Sequence, residues 1–193
     1  MKQWKNITLE KYLDIIELQQ YRETSIKNIL LYLYDIDIDT IPINKLPEAI
    51  DKLKFLNEVP IVKLKNNYKI NNHKYKLNII PQNYNYNQFL DFQSFSNDND
   101  IVGILSTVLI PKGHKYNDGY DMQQVKEDIL QMNYLDVNTI SNFFLTLLKN
   151  YAVTLQAYLQ ELIKKTEMTE EMKNELTEKI TQLTTYLVSP LQS

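Results

Sequence analysis

Asp118 and Asp121 flank Gly119 in the stretch Pro111-Lys112-Gly113-His114-Lys115-Tyr116-Asn117-Asp118-Gly119-Tyr120-Asp121. Two carboxylates this close can act as acid and base when their surroundings push their pKa values apart. A plainer chemistry fits the same residues. Asp-Gly favours a turn with positive φ, and Asp121 is placed to cap the helix that follows. The stretch holds two of the chain's three glycines. It is expected to be a structural corner. Pro111 ends a buried helix, Gly113 and Gly119 let the chain turn, and Tyr116 and Tyr120 anchor the loop by packing.

The other candidates for chemistry are sparse. His73 and His114 are the two histidines. They are far apart and lack Cys or carboxylate companions at ligand spacing, so no metal or cofactor is expected. Asp35, Asp37 and Asp39 share the 1-3-5 spacing of a calcium loop. Thr40 and Leu46 stand where that loop needs glycine and glutamate. No nucleophile elbow, phosphate loop or triad pattern is present. No catalytic residue is assigned, and the expectation is a protein that is not an enzyme.

A third feature is basic and aromatic. Lys63, Lys65, Lys69, Lys74 and Lys76 interleave with Tyr68 and Tyr75 across residues 61–77. This pattern can serve as a nucleic-acid platform, with lysines on phosphates and tyrosines under bases. It equally describes a half-buried hairpin with a solvated lysine face, and lysines protect sheet edges from unwanted pairing. The formal net charge of −3 favours the second reading.

These residues sit in a chain of 193, enough for one large domain or two small ones. There is no cysteine, which excludes disulfides and thiolate metal sites and suits a reducing compartment. No apolar run reaches the ~20 residues that span a bilayer, and no secretory signal is expected. Tyrosine is common, at 14, while alanine is scarce. With abundant Asn, Lys and Ile, this bias reads as an AT-rich genome.

The expected fold class is α+β, predominantly helical. One β-hairpin at about 60–80 lies among helices, and a helical hairpin closes the chain. Leu9, Tyr12, Leu13 and Ile16 mark one face of a first helix capped by Thr8, and Ile26, Ile29, Leu30 and Leu33 mark a second run. The two runs could also form one bent helix. Residues 35–43 read as a loop or short edge strand. A helix from Leu46 to Asn57 follows, with Ile50, Leu53 and Leu56 inward. Asn71-Asn72 suits a two-residue hairpin turn, because Asn tolerates the left-handed conformation. An all-round apolar helix spans about 100–110, and an amphipathic one Met122–Met132. From Leu135 the chain reads as a long helix, then a break near Thr166–Thr169, then a final helix. The expected division is 1–133 and 134–193, with the two parts able to pack as one domain.

Tyr84, Tyr86, Phe89, Phe92 and Phe95 cluster at mixed helical spacing. Leu176, Ile180 and Leu183 stripe the last helix, which is thinly apolar. Both sets are candidate surfaces for protein partners.

Three stretches carry a family resemblance: Trp4-Lys5-Asn6-Ile7-Thr8-Leu9-Glu10-Lys11-Tyr12, Gln88-Phe89-Leu90-Asp91-Phe92, and Leu109-Ile110-Pro111-Lys112-Gly113 with Tyr116 to Asp121. In these the chain resembles tail or baseplate assembly and virion proteins of Bacteroidota bacteriophages, including crAss-like phages. The resemblance covers roughly residues 1–160. It implies a non-enzymatic virion or tail-assembly role, as structural protein or chaperone. The implied partners are other phage structural proteins in a multi-copy assembly. From charge and apolar run length no membrane partner is expected, and a nucleic-acid-binding module on the hairpin 61–77 is the alternative to the protein-binding role. The implied location is the virion, or the host bacterial cytoplasm during assembly.

Overall fold

Thr8 opens the first helix of the structure, a computed structural model that describes residues 3–21, 25–80, 83–165 and 169–188. Its hydroxyl accepts from the Lys11 N–H at 3.2 Å, satisfying a donor that the helix cannot. Helix α1 is Leu9–Gln19 and α2 is Ser25–Tyr34. They are separate helices packed on each other, not one bent helix. Leu9 and Ile15 are buried, while Leu13 and Ile16, expected inward, are exposed. At about 100° per residue, Tyr12 lies between Leu9 and Ile15 and centres the buried arc. In α2, Ile29 and Leu30 are buried and Ile26 is exposed.

The helix expected over Leu46–Asn57 is shorter. Pro47 sits in the first turn of α3, Leu46–Asp51, and a tighter 3-10 turn, Lys54–Asn57, follows. Ala49 is the buried residue of α3, and Ile50 is exposed. The break lets Phe55 and Leu56 reach a cluster built on Trp4, Ile7 and Leu135. In that cluster Trp4 meets Phe55 edge-on at 5.1 Å, and Tyr12 stacks on Tyr134 at 3.5 Å.

Strands β1, Asn67–Ile70, and β2, His73–Leu77, form the expected hairpin. Asn71 and Asn72 have φ of 47° and 69°. Both central residues are left-handed, which matches the right-handed twist of the strands they join. Alternation is strict: Tyr68, Ile70, Tyr75 and Leu77 are buried and the residues between them exposed.

One expectation needs correction. The apolar run 100–110 is not all helix. Helix α5 ends at Val108, and Leu109–Pro111 forms β3, antiparallel to β2. The sheet order is β1-β2-β3. Pro111 therefore stands at a sheet edge, where its missing N–H does no harm, instead of stopping a helix.

Helix α6, Met122–Leu130, is capped by Asp121, whose carboxylate accepts from the N–H groups of Gln123 and Gln124. Helix α7 is Tyr134–Lys165 and α8 is Glu170–Val188. The turn expected to make these two a helical hairpin falls on 166–168, outside the described residues. Asn133 ties the start of α7 to the N-terminal segment. Its Nδ2 donates to the carbonyls of Trp4 and Lys5, at 2.9 and 3.0 Å, and its Oδ1 accepts from the Leu135 N–H.

The chain divides into two compact units that interleave in sequence, 1–78 with 109–139, and 79–108 with 140–193. This differs from a boundary at 133/134. Helix α4, Tyr86–Asn97, packs on α5, Ile101–Val108, in the second unit. The sheet and α1, α2, α3 and α6 belong to the first.

Candidate functional site

The hairpin and α6 build one polar cluster around a buried carboxylate. Alternation along β2 sends His73 and Tyr75 to the inner face, where α6 meets them. Val125 and Ile129 give α6 its buried stripe, and Asp128 interrupts that stripe with a carboxylate of 0% exposure. Four donors satisfy it. Oδ2 receives the Tyr75 hydroxyl at 2.5 Å and His73 Nδ1 at 2.6 Å. Oδ1 receives Asn71 Nδ2 at 3.0 Å and Gln124 Nε2 at 3.2 Å.

The electrostatics follow from these bonds. Burial alone would push the Asp128 carboxyl up, but hydrogen bonds from Tyr75, His73 and Asn71 outweigh it and hold the group below the ordinary carboxylate range. The Tyr75 phenol is pushed up, first by burial and then by the bond to Asp128. With Nδ1 donating to the carboxylate, His73 keeps Nε2 as its free nitrogen, and its side chain is 54% exposed. An oriented imidazole of this kind can accept one proton or supply one metal ligand. Neither chemistry goes further among the described residues. No hydroxyl or thiol is hydrogen-bonded to His73 there, and no group of three metal-ligating side chains occurs. What the cluster does is fix the hairpin turn against α6.

The glycine corner has a similar structural character. Gly113 and Gly119 adopt φ of 96° and 68°, and Asn117 adopts 58°. Tyr116 is buried, while Tyr120 lies edge-on to His114 at 5.8 Å. Asp118 and Asp121 are both exposed on the turn, and the Asp121 carboxylate is engaged in its cap. They do not line a closed site.

The hairpin separates its two residue types. Lys63, Lys65, Lys69, Lys74 and Lys76 are exposed, whereas Tyr68 and Tyr75 are buried on the opposite face. No stacking platform accompanies the lysines. Lys65 is also engaged, 2.9 Å from each oxygen of Asp136. In the 35–39 segment, Asp37 and Asp39 face Lys27.

The aromatic helix α4 splits its residues in the same way. Phe92 meets Phe144 edge-on at 5.1 Å, Phe95 closes against Gly103, and Tyr84 is half-buried. Gln88 is buried and donates Nε2 to the Thr107 carbonyl at 2.6 Å. Tyr86 and Phe89 point the other way, at 74% and 49% exposure, with Leu90 beside them at 41%. In α8, Leu176 is 37% exposed, and the side chains of Ile180 and Leu183 lie outside the described residues.

Asp128 was not singled out from the sequence, and Asn71 reads there as a turn residue, without its bond to Asp128. The signal was present, since a lone carboxylate stands inside the apolar stripe Val125-Ile129, where a charge needs partners. Gln124 is a local partner at i, i+4 spacing, but Asn71, His73 and Tyr75 come from a hairpin more than fifty residues away, and no local pattern identifies them. No protein-family model, curated protein or solved structure matches the chain.

Proposed function

We propose that this chain is a non-enzymatic bacteriophage protein, built into the virion or assisting tail assembly, that acts through protein–protein contacts. The observation that carries the reading is the open face of α4. Tyr86, Phe89 and Leu90 follow i, i+3, i+4 spacing and so share one side of the helix. Large aromatic side chains on a helix face are the residues that anchor protein interfaces when a partner desolvates them. The glycine corner and the opening segment, which resemble phage assembly proteins, supply the biological setting. The well-satisfied Asp128 cluster supports a structural part for a site that has the makings of acid–base chemistry.

Mass spectrometry of purified particles and of assembly intermediates tests the proposal. Presence in particles identifies a virion component, and presence only in intermediates identifies an assembly factor. Absence from both overturns it. Tyr86→Ala with Phe89→Ala is expected to abolish incorporation while leaving the helical circular-dichroism spectrum unchanged.

A further inference from the structure

We infer that the outer face of the β1-β2-β3 sheet, at its turn end, is a docking surface for an acidic segment of a protein partner. Strand register places Lys69 directly opposite Lys74. The Lys112 N–H donates to the Lys74 carbonyl at 2.8 Å, which carries the β2–β3 pairing one residue further and sets Lys112 beside Lys74. Neighbouring strands stand about 4.8 Å apart, so the three form one row across the sheet. Lys76 is two residues along β2 on the same face. All four are exposed.

The row is set apart by its register and not by the lack of ion pairs alone, since Lys5, Lys11, Lys63 and Lys115 also have no carboxylate beside them among the described residues. Lys27, Lys45, Lys54, Lys65, Lys165, Lys173 and Lys179 all sit beside carboxylates. Among the described residues, Lys69, Lys74, Lys76 and Lys112 have no such partner. Like charges directly opposite each other in a sheet are destabilising, so the arrangement is held against its own repulsion. Composition does not force it, because the chain is net acidic. Edge protection explains Lys69, on the outer strand β1, and Lys112, just past the end of the outer strand β3. It does not explain Lys74 and Lys76, which lie on the central strand β2. The backbone beneath the row is fixed, since Asn71, His73 and Tyr75 are tied to Asp128. A charged patch on a fixed backbone is suited to steering a complementary partner into register.

The charge chemistry favours carboxylates over a phosphate backbone. The tyrosines of the hairpin face inward, so bases would find nothing to stack on. The face also carries no arginine, the residue that grips phosphate bidentately. The surface lies in the first unit and shares no residue with the α4 face.

The test is binding of fluorescently labelled poly-L-glutamate to the full chain, with a short duplex DNA of matched charge as the competing probe. Poly-L-glutamate is expected to bind, more weakly as salt rises. Lys69→Glu, Lys74→Glu and Lys112→Glu together are expected to weaken binding by about tenfold or more. The same charge change at Lys45, Lys52 and Lys54, away from the sheet, is expected to leave it within about twofold. If the glutamate variant does not fold, the glutamine triple variant at the same positions gives the reading. Absence of binding by the natural chain, an equal loss in both charge variants, or tighter binding of the duplex than of poly-L-glutamate each overturns the inference.

Discussion

The hydroxyl of Tyr75 lies 2.5 Å from Oδ2 of Asp128, joining the central strand of the sheet to the buried face of α6. The bond has a charged acceptor and both of its residues are buried, which makes it a strong one. Tyr75→Phe keeps the ring and removes only the hydroxyl. It is expected to lower stability by about 1.5–3 kcal/mol, read from urea unfolding. A variant as stable as the natural chain would show that the bond contributes nothing.

The same carboxylate gives a pH dependence of known sign. Asp128 has a folded pKa below that of the unfolded chain. In the acid range the unfolded chain therefore binds more protons, and stability rises with pH. The contribution is fully present above the unfolded carboxyl value of about 4 and is lost as pH falls through the lower folded value. Asp128→Asn should abolish this part of the acid limb. Urea midpoints of the two proteins are expected to differ most near neutrality and to converge as pH falls.

Trp4 offers a direct optical reporter, because it is the only tryptophan and is almost fully buried. Asn133→Ala removes both the cap of α7 and the bonds to the Trp4 and Lys5 carbonyls. The expected cost is about 2 kcal/mol. Tryptophan emission should shift to the red at lower urea than in the natural chain, and an unmoved midpoint would count against the clasp.

How much of this was legible beforehand depends on the distance between partners. Thr8 as a cap, the Asn71-Asn72 turn and Asp121 as a cap are local, and residue type with spacing is enough to read them. Strand β3 was hidden because Leu109-Ile110 continue an apolar helical run, and only pairing with β2 draws them out. The Asp128 cluster and the Asn133 clasp were hidden for the same reason, since each satisfies polar groups across a long sequence separation. In α4, mixed aromatic spacing revealed the cluster but not which residues face Phe144 and which stay open.

Asn72→Ala separates turn geometry from the polar cluster. Asn72 has positive φ but makes no bond to Asp128, so its loss should cost about 1–2 kcal/mol through backbone strain alone. Asn71→Ala removes a positive-φ residue and a donor to Asp128, and should cost more. Equal effects in thermal unfolding would mean that the Asn71 side chain has no part in the cluster.

Gly103→Ala reverses a familiar rule. Within a helix, alanine is normally the better residue by about 1 kcal/mol. At Gly103 a Cβ would collide with the Phe95 ring and the Asp100 carboxylate. The expected result is a net loss of about 1–3 kcal/mol from overpacking, seen as a lower melting temperature. A gain would show that α4 and α5 can separate without penalty.

The Asn133 clasp also has a consequence in time. The Asn133 amide reaches the Ile7 carbonyl across 126 positions of sequence. At translation rates of about 5–20 residues per second, residues 4–9 wait roughly 6–25 s for their partners. During that interval Trp4, Ile7 and Leu9 are on the nascent chain without the residues that later cover them. This amino-terminal segment is therefore where ribosome-bound chaperones should engage the chain, releasing it once Asn133 and Tyr134 have emerged.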